Sequence, residues 1–120
     1  MSRNGAAPDR EHPPFSIVTE QAEDGLRMVV RGDLDLASAR EFERAVATAQ
    51  HSHPATMVVD LSGLDFLDSR GLRAILTARE VCEQQGCELR LIAGEQSRRL
   101  FDMTGLTESL PLISQDRPER

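Results

Sequence analysis

The chain has no tryptophan, no tyrosine and only four phenylalanines. Its core must therefore be assembled from Leu, Ile, Val, Met and Ala. No apolar run approaches the length needed to span a bilayer, so membrane insertion is not expected. An excess of positive charge is also missing. The formal net charge of -6 argues against a nucleic-acid partner held through phosphate contacts and against docking on an anionic membrane surface. Residues 1–14 lack the apolar stretch of a signal peptide, so a cytoplasmic location is the default expectation. Cysteine is scarce. Cys82 and Cys87 are the only two, five residues apart, and they do not supply the four ligands of a zinc site. They read as ordinary buried thiols. His12, His51 and His53 all fall in loop-like segments. His51-Ser52-His53 is followed by Pro54 and has no accompanying carboxylate or cysteine, so it reads as a solvated turn. Neither a metal nor a cofactor is expected.

What is present suits one soluble domain. The chain has 120 residues, of which 39% are hydrophobic and 28% charged, a balance that favours a single globular core over disorder. Residues 1–14 mix Gly5, Pro8, Pro13 and Pro14 with charges and alanines and read as a flexible N-terminal tail. Residues 115–120 read as a shorter C-terminal one. The domain expected between them covers residues 15–114.

Phe15, Ile17 and Thr19 alternate with Ser16 and Val18, which suits a strand. Asp24-Gly25 is a turn signal. Leu26, Met28 and Val30 then alternate with Arg27, Val29 and Arg31, so the two runs predict a hairpin. Gly32-Asp33-Leu34-Asp35 ends the second strand. Ser38-Ala39-Arg40-Glu41 has the pattern of a capping box and predicts a helix start. Ala39, Phe42, Val46 and Ala49 recur at helical spacing up to about Gln50.

Thr56 to Leu61 is a short, nearly continuous apolar run, as in the buried middle of a parallel sheet. Ser62-Gly63 is expected to break it. A second helix is predicted from Ser69 to Gln85, with Leu72, Ile75, Leu76 and Cys82 inward and Gly86 in the left-handed position after its end. Cys87 to Ala93 alternates as a strand. Glu95 to Thr104 predicts a third helix, stopped by Gly105, with Leu106 folding back onto Phe101 in a Schellman ending. Leu110 to Ile113 reads as a last strand or the start of a fourth helix, and Pro111 weakens both readings. This alternation predicts an α/β sheet with crossover helices packed on it.

The most informative stretch runs from Val58 to Leu72. A buried strand leads into a loop that delivers Ser69 to the first turn of a helix. Such a place offers unpaired backbone amides and the positive end of the helix dipole, where an anion is stabilised. Gly71 permits close approach of another backbone segment. Serine is also a common N-cap, and on helix chemistry alone a plain helix start is the favoured reading of Asp68-Ser69. A nucleophilic role for Ser69 finds little support. No histidine lies in a segment expected to approach the loop, and Gly-x-Ser-x-Gly, P-loop and dinucleotide fingerprints are absent around it.

Four segments, in order and at compatible spacing, change that balance. They are Gly32-Asp33-Leu34-Asp35, Val58 to Leu61, Leu67-Asp68-Ser69-Arg70-Gly71-Leu72 and Arg99 to Leu106. From about Phe15 to Ile113 the chain resembles a STAS domain of the anti-sigma factor antagonist type. The resemblance implies a mixed, mostly parallel sheet with helices packed largely on one side. It implies a non-enzymatic protein that binds an anti-sigma factor with serine kinase activity, so that a sigma factor is released. Phosphorylation of Ser69 would end that binding, and a serine phosphatase would reset it. Asp33, Asp68, Ser69, Arg70 and Gly71 are the implied partner-binding residues. Asp33 belongs there if loops at neighbouring strand ends gather at one edge; otherwise it only helps turn the chain into the next helix. Arg70 departs from the family pattern, which often has a small hydroxyl residue there. It leaves Ser69 as the clear phosphoacceptor, and it invites pairing with Asp68 or with the phosphate. The resemblance also admits a scaffold subunit of a stress-signalling complex or a soluble partner of a transporter.

Overall fold

A computed structural model describes residues 14–23 and 25–113. Apart from Pro14, the tails expected at residues 1–14 and 115–120 lie outside the described residues. Strand β1 (Ser16–Ala22) pairs antiparallel with β2 (Gly25–Leu34), with Ser16 opposite Arg31 and Ala22 opposite Gly25. The predicted hairpin is therefore formed. Helix α1 (Leu36–Ala49) follows and ends in a single 3-10 turn at Gln50–Ser52. Then come β3 (Thr56–Leu67), α2 (Ser69–Gln85), β4 (Glu88–Ile92), α3 (Glu95–Met103) and a two-residue strand, β5 (Leu112–Ile113).

Strand order in the sheet follows chain order, β1 to β5. The β2–β3, β3–β4 and β4–β5 pairs are parallel. Three successive crossovers thus step in one direction. The right-handedness of such connections places all three helices on the same face. Burial agrees. Met28 and Val30 on β2, Met57, Val59 and Leu61 on β3 and Leu91 on β4 are almost wholly enclosed, packed with Phe42 of α1, Ile75 of α2 and Phe101 of α3. On the opposite face Arg27 and Asp60 form an ion pair at 2.9 Å. The result is the expected mixed, mostly parallel sheet with helices on one side.

Several local expectations give way. Helix α1 starts at Leu36, two residues before the anticipated cap. Asp35 is the N-cap, and its Oδ1 accepts from the Ala37 and Ser38 amides at 3.0 and 3.3 Å. Ser38 completes this capping box from the third helical position, its Oγ accepting from the Asp35 amide at 3.0 Å. Its hydroxyl also donates to the Asp33 carbonyl at 2.7 Å. An aspartate already leaving the strand in extended geometry reaches the orphan amides first, so the Ser38–Glu41 box is not used.

Ser62-Gly63 does not break β3 either. The ladder to β2 slips at Val29/Arg31 and again at Gly32/Asp33, and then pairing resumes through Leu34 and Leu67. Asp60 Oδ1 accepts from the Ser62 amide and hydroxyl at 2.9 and 2.6 Å, tying down the irregular stretch. A bulge keeps a strand going where a turn would have ended it.

The remaining elements match closely. Helix α2 has the predicted span, and Gly86 follows it at φ 74°. Leu76 is only partly buried. Helix α3 ends as a Schellman motif: the Leu106 amide donates to the Phe101 carbonyl at 2.8 Å, and the Gly105 amide donates to Asp102 at 3.2 Å. Of the two readings of residues 110–113, the strand is the one formed.

Candidate functional site

The site is built at the ends of β2 and β3. Their bulged ladder sets Asp33 opposite Phe66 and Leu34 opposite Leu67. The Gly32–Asp35 and Phe66–Gly71 segments therefore run side by side at the carboxyl edge of the parallel strands. Such edges are where ligands and partners of parallel sheets are usually met. Two helices start there, α1 after Asp35 and α2 after Asp68.

Asp68 is extended (φ -112°, ψ -173°) and caps α2, with its Oδ1 accepting from the Gly71 amide at 2.9 Å. Its own amide reaches the Leu34 carbonyl at 3.4 Å. Because Asp68 takes the capping role, Ser69 is left with none. Ser69 is the first residue of α2, it is exposed, and its hydroxyl makes no hydrogen bond among the described residues.

Gly71 is required by packing, not by backbone conformation. A Cβ there would lie 2.2 Å from the Leu34 carbonyl oxygen and 2.7 Å from Leu67 Cδ1. Only a residue without a side chain lets α2 press this closely against the end of β2. That contact holds the Ser69 turn against the Asp33 end of β2.

Asp33 is half-buried, and its Oδ1 is enclosed without a hydrogen-bond partner among the described residues. A buried carboxylate oxygen with nothing to accept from is uncommon and costly. Arg70 is exposed and forms no ion pair among the described residues, so the anticipated Asp68–Arg70 contact is not made. Asp33, Asp68, Ser69, Arg70 and Gly71 are thus brought to one corner of the molecule.

Two neighbours were not singled out by their sequence pattern. Leu36, the first residue of α1, is 64% exposed, and Phe66, beside Asp33, is 45% exposed. The available signals were small. Leu36 falls outside the Ala39-Phe42-Val46-Ala49 stripe, and Phe66 lies in a stretch read as loop. Away from this corner, the His51–His53 segment is an exposed turn. Cys82 and Cys87 are buried free thiols, and burial, with Cys87 alongside, pushes the Cys82 thiol up to about 12. Thiols of this kind are chemically inert.

Comparison with known proteins agrees with this architecture. The STAS domain family model matches residues 16–117. The chain is 31% identical over 104 residues to the anti-sigma-F factor antagonist RsfB of Mycobacterium tuberculosis, covering 85% of this chain and 84% of that protein. It is 26% identical over 96 residues to the anti-sigma-B factor antagonist of Listeria monocytogenes, covering 79% of this chain and 84% of that one. Among solved structures, an anti-sigma factor antagonist from Mycobacterium paratuberculosis superposes with a TM-score of 0.75 at 28% identity, covering 89% of this chain and 88% of the other. The unphosphorylated form of SpoIIAA shares the fold, with a TM-score of 0.68 at 18% identity over 84% of this chain and 90% of its own. The chain belongs to the STAS domain family, in its anti-sigma factor antagonist branch.

Proposed function

We propose that this chain is a cytoplasmic, non-enzymatic anti-sigma factor antagonist. It binds an anti-sigma factor that is also a serine kinase, and phosphorylation of Ser69 dissolves the complex. The observation that carries this reading is the uncommitted hydroxyl of Ser69, exposed at the start of α2 while Asp68 does the capping. A structural serine at a helix start would be spending its oxygen on the backbone. The names of the mycobacterial and listerial relatives support the same role.

The chemistry of the corner explains how one modification ends binding. In the unmodified state the partner meets a neutral hydroxyl on the first turn of α2, beside the Asp33 end of β2. Leu36 and Phe66 supply exposed apolar area beside it, which a partner can bury. Transfer of a phosphoryl group from ATP to Ser69 Oγ brings a charge of about -1.5 to -2 into this contact. Asp33 and Asp68 already place negative charge nearby. Repulsion and the cost of desolvating the phosphate both oppose reassociation. A serine phosphatase then restores the hydroxyl.

The test uses the cognate kinase. Incubation with ATP should add one phosphate, found on Ser69 by mass spectrometry; a phosphate mainly on Ser62 or Ser97 would defeat the assignment. In calorimetry, Ser69→Ala should bind the kinase as tightly as wild type and Ser69→Asp much more weakly. Phe66→Ser and Leu36→Ser should each weaken binding by about 1 kcal/mol or more. Asp33→Asn and Arg70→Ser should alter phosphorylation or affinity without altering the fold. Equal affinities for the Ala, Asp and wild-type forms would show that charge at residue 69 does not control the complex.

A further inference from the structure

Helix α2 opens with cations at the end where its dipole disfavours them. Arg70 and Arg73 are exposed and lie within its first five residues, and its first turn contains no acid. The partial positive charge of a helix N-terminus makes arginine locally unfavourable there. No acid stands three or four residues from either arginine. The residues three and four away from Arg73 are Ser69, Arg70, Leu76 and Thr77; those from Arg70 are Phe66, Leu67, Arg73 and Ala74. Among the described residues the ion pairs are Arg27–Asp60 and Arg90–Glu88, so neither arginine has a carboxylate partner. The nearest one, Asp68, turns its Oδ1 to the Gly71 amide.

Helix geometry gives Arg73 two polar neighbours on its N-terminal side, Ser69 and Arg70, and of these only Ser69 can become an anion. Ser69 lies four residues earlier, so the two share a face with Cβ atoms roughly 5–6 Å apart. Helical side chains lean toward the N-terminus, which puts the turn that carries Ser69 within reach of a long side chain at position 73. Arg70 projects about 100° round the helix from Ser69 and is less well placed.

Resting on the reading that Ser69 is phosphorylated, we propose that Arg73 is the intramolecular counter-cation of the phosphoserine. Its planar fork of N–H donors matches two phosphate oxygens, which a neutral hydroxyl cannot engage in the same way. The phosphate would also suit the α2 N-terminus, where the arginines alone do not. The consequence is regulatory. Phosphorylation both adds an anion and withdraws a free cation from the partner-facing corner. It also holds the modified serine in a closed, self-paired state.

The experiment needs no kinase. The full chain is produced with phosphoserine incorporated at residue 69 during synthesis, beside the unmodified protein, and thermal unfolding is compared for wild type, Arg73→Gln, Arg73→Lys and Arg70→Gln. In wild type the phosphate should raise Tm by roughly 2–4 °C, the size expected of a strengthened helix-surface pair in a domain of this length. Arg73→Gln should abolish that increment, Arg73→Lys should keep part of it, and Arg70→Gln should keep most of it. Without phosphate, Arg73→Gln should melt no lower than wild type, which separates pairing from a structural role for Arg73. Equal increments in wild type and Arg73→Gln would overturn the proposal, as would loss of the increment in Arg70→Gln alone. These outcomes are independent of the kinase assay: a kinase that ignores Ser69 defeats the functional reading, whereas equal increments defeat only the pairing.

Discussion

Single residues at the Ser69 corner divide into those that shape it and those left free to act. Gly71 shapes it. Its absent side chain is what allows α2 to meet the Leu34 carbonyl, and a methyl group there would sit 2.2 Å from that oxygen. Gly71→Ala should therefore destabilise the domain by about 1–3 kcal/mol, as overpacking against backbone does. Ser69→Ala removes an exposed hydroxyl with no bonding partner, and exposed substitutions of that kind stay within about 0.5 kcal/mol. Urea titrations of the two variants should separate clearly. Comparable losses would mean that Ser69 supports the helix start after all. In the sequence Asp68 and Ser69 stand side by side as candidates for the cap. Both types are good N-caps, and only the backbone geometry shows that Asp68 is the one in extended conformation with its oxygen on the Gly71 amide.

At the scale of elements, the site is two helix starts brought together by one bulged strand pair. Asp35 and Asp68 each close the N-terminus of a helix, and each carries negative charge to the same edge. Charge and cap can be separated at Asp68. Asparagine caps about as well as aspartate, whereas alanine costs about 1 kcal/mol. Asp68→Asn should thus unfold near wild type in denaturant and Asp68→Ala clearly earlier. If Asp68 also matters to the partner through its charge, binding should change in both. The start of α2 was legible because its two candidate caps, Asp68 and Ser69, are adjacent, so either choice puts the helix in the same place. At α1 the local pattern pointed to Ser38, whereas the cap is Asp35, which that pattern placed at the end of the strand. The true start was decided by where β2 releases the chain. That release point depends on the ladder to β3, a contact about thirty residues away in sequence.

For the whole molecule, the thiol at the end of α2 gives a test of the core that is independent of the functional corner. Burial raises the Cys82 thiol from 9.0 to about 12. Between these values the unfolded chain releases a proton that the folded chain keeps. The unfolded state then binds fewer protons, so stability is full below about pH 9 and falls as pH rises toward 12. Tyrosine and lysine are both absent from the sequence, which leaves few other side chains to titrate in that range. Thermal unfolding followed from pH 8 to pH 11 should show a falling Tm. Cys82→Ala should start from a lower value and fall less steeply. A slope unchanged by that substitution would mean that Cys82 is not the group responsible.

Much of this protein was determined by its sequence alone. Periodicity placed most of the elements, because a half-buried strand and an amphipathic helix must each repeat their apolar residues at a fixed interval. Glycines after α2 and α3 marked where those helices stop, because both stand at φ 74°, where a side chain is disfavoured. Ser69 was visible as the start of a helix, although the loop expected before it is strand β3 as far as Leu67. Tertiary structure decided the rest. It carried β3 through Ser62-Gly63 as a bulge, because pairing with β2 resumes beyond the irregular stretch and continues to Leu67. It set Asp33 beside the Ser69 loop and left one of its carboxylate oxygens enclosed without a partner. It also left Leu36 and Phe66 exposed on the rim. None of these follows from local pattern, because each depends on which strand ends become neighbours, and that is fixed only when the sheet is assembled.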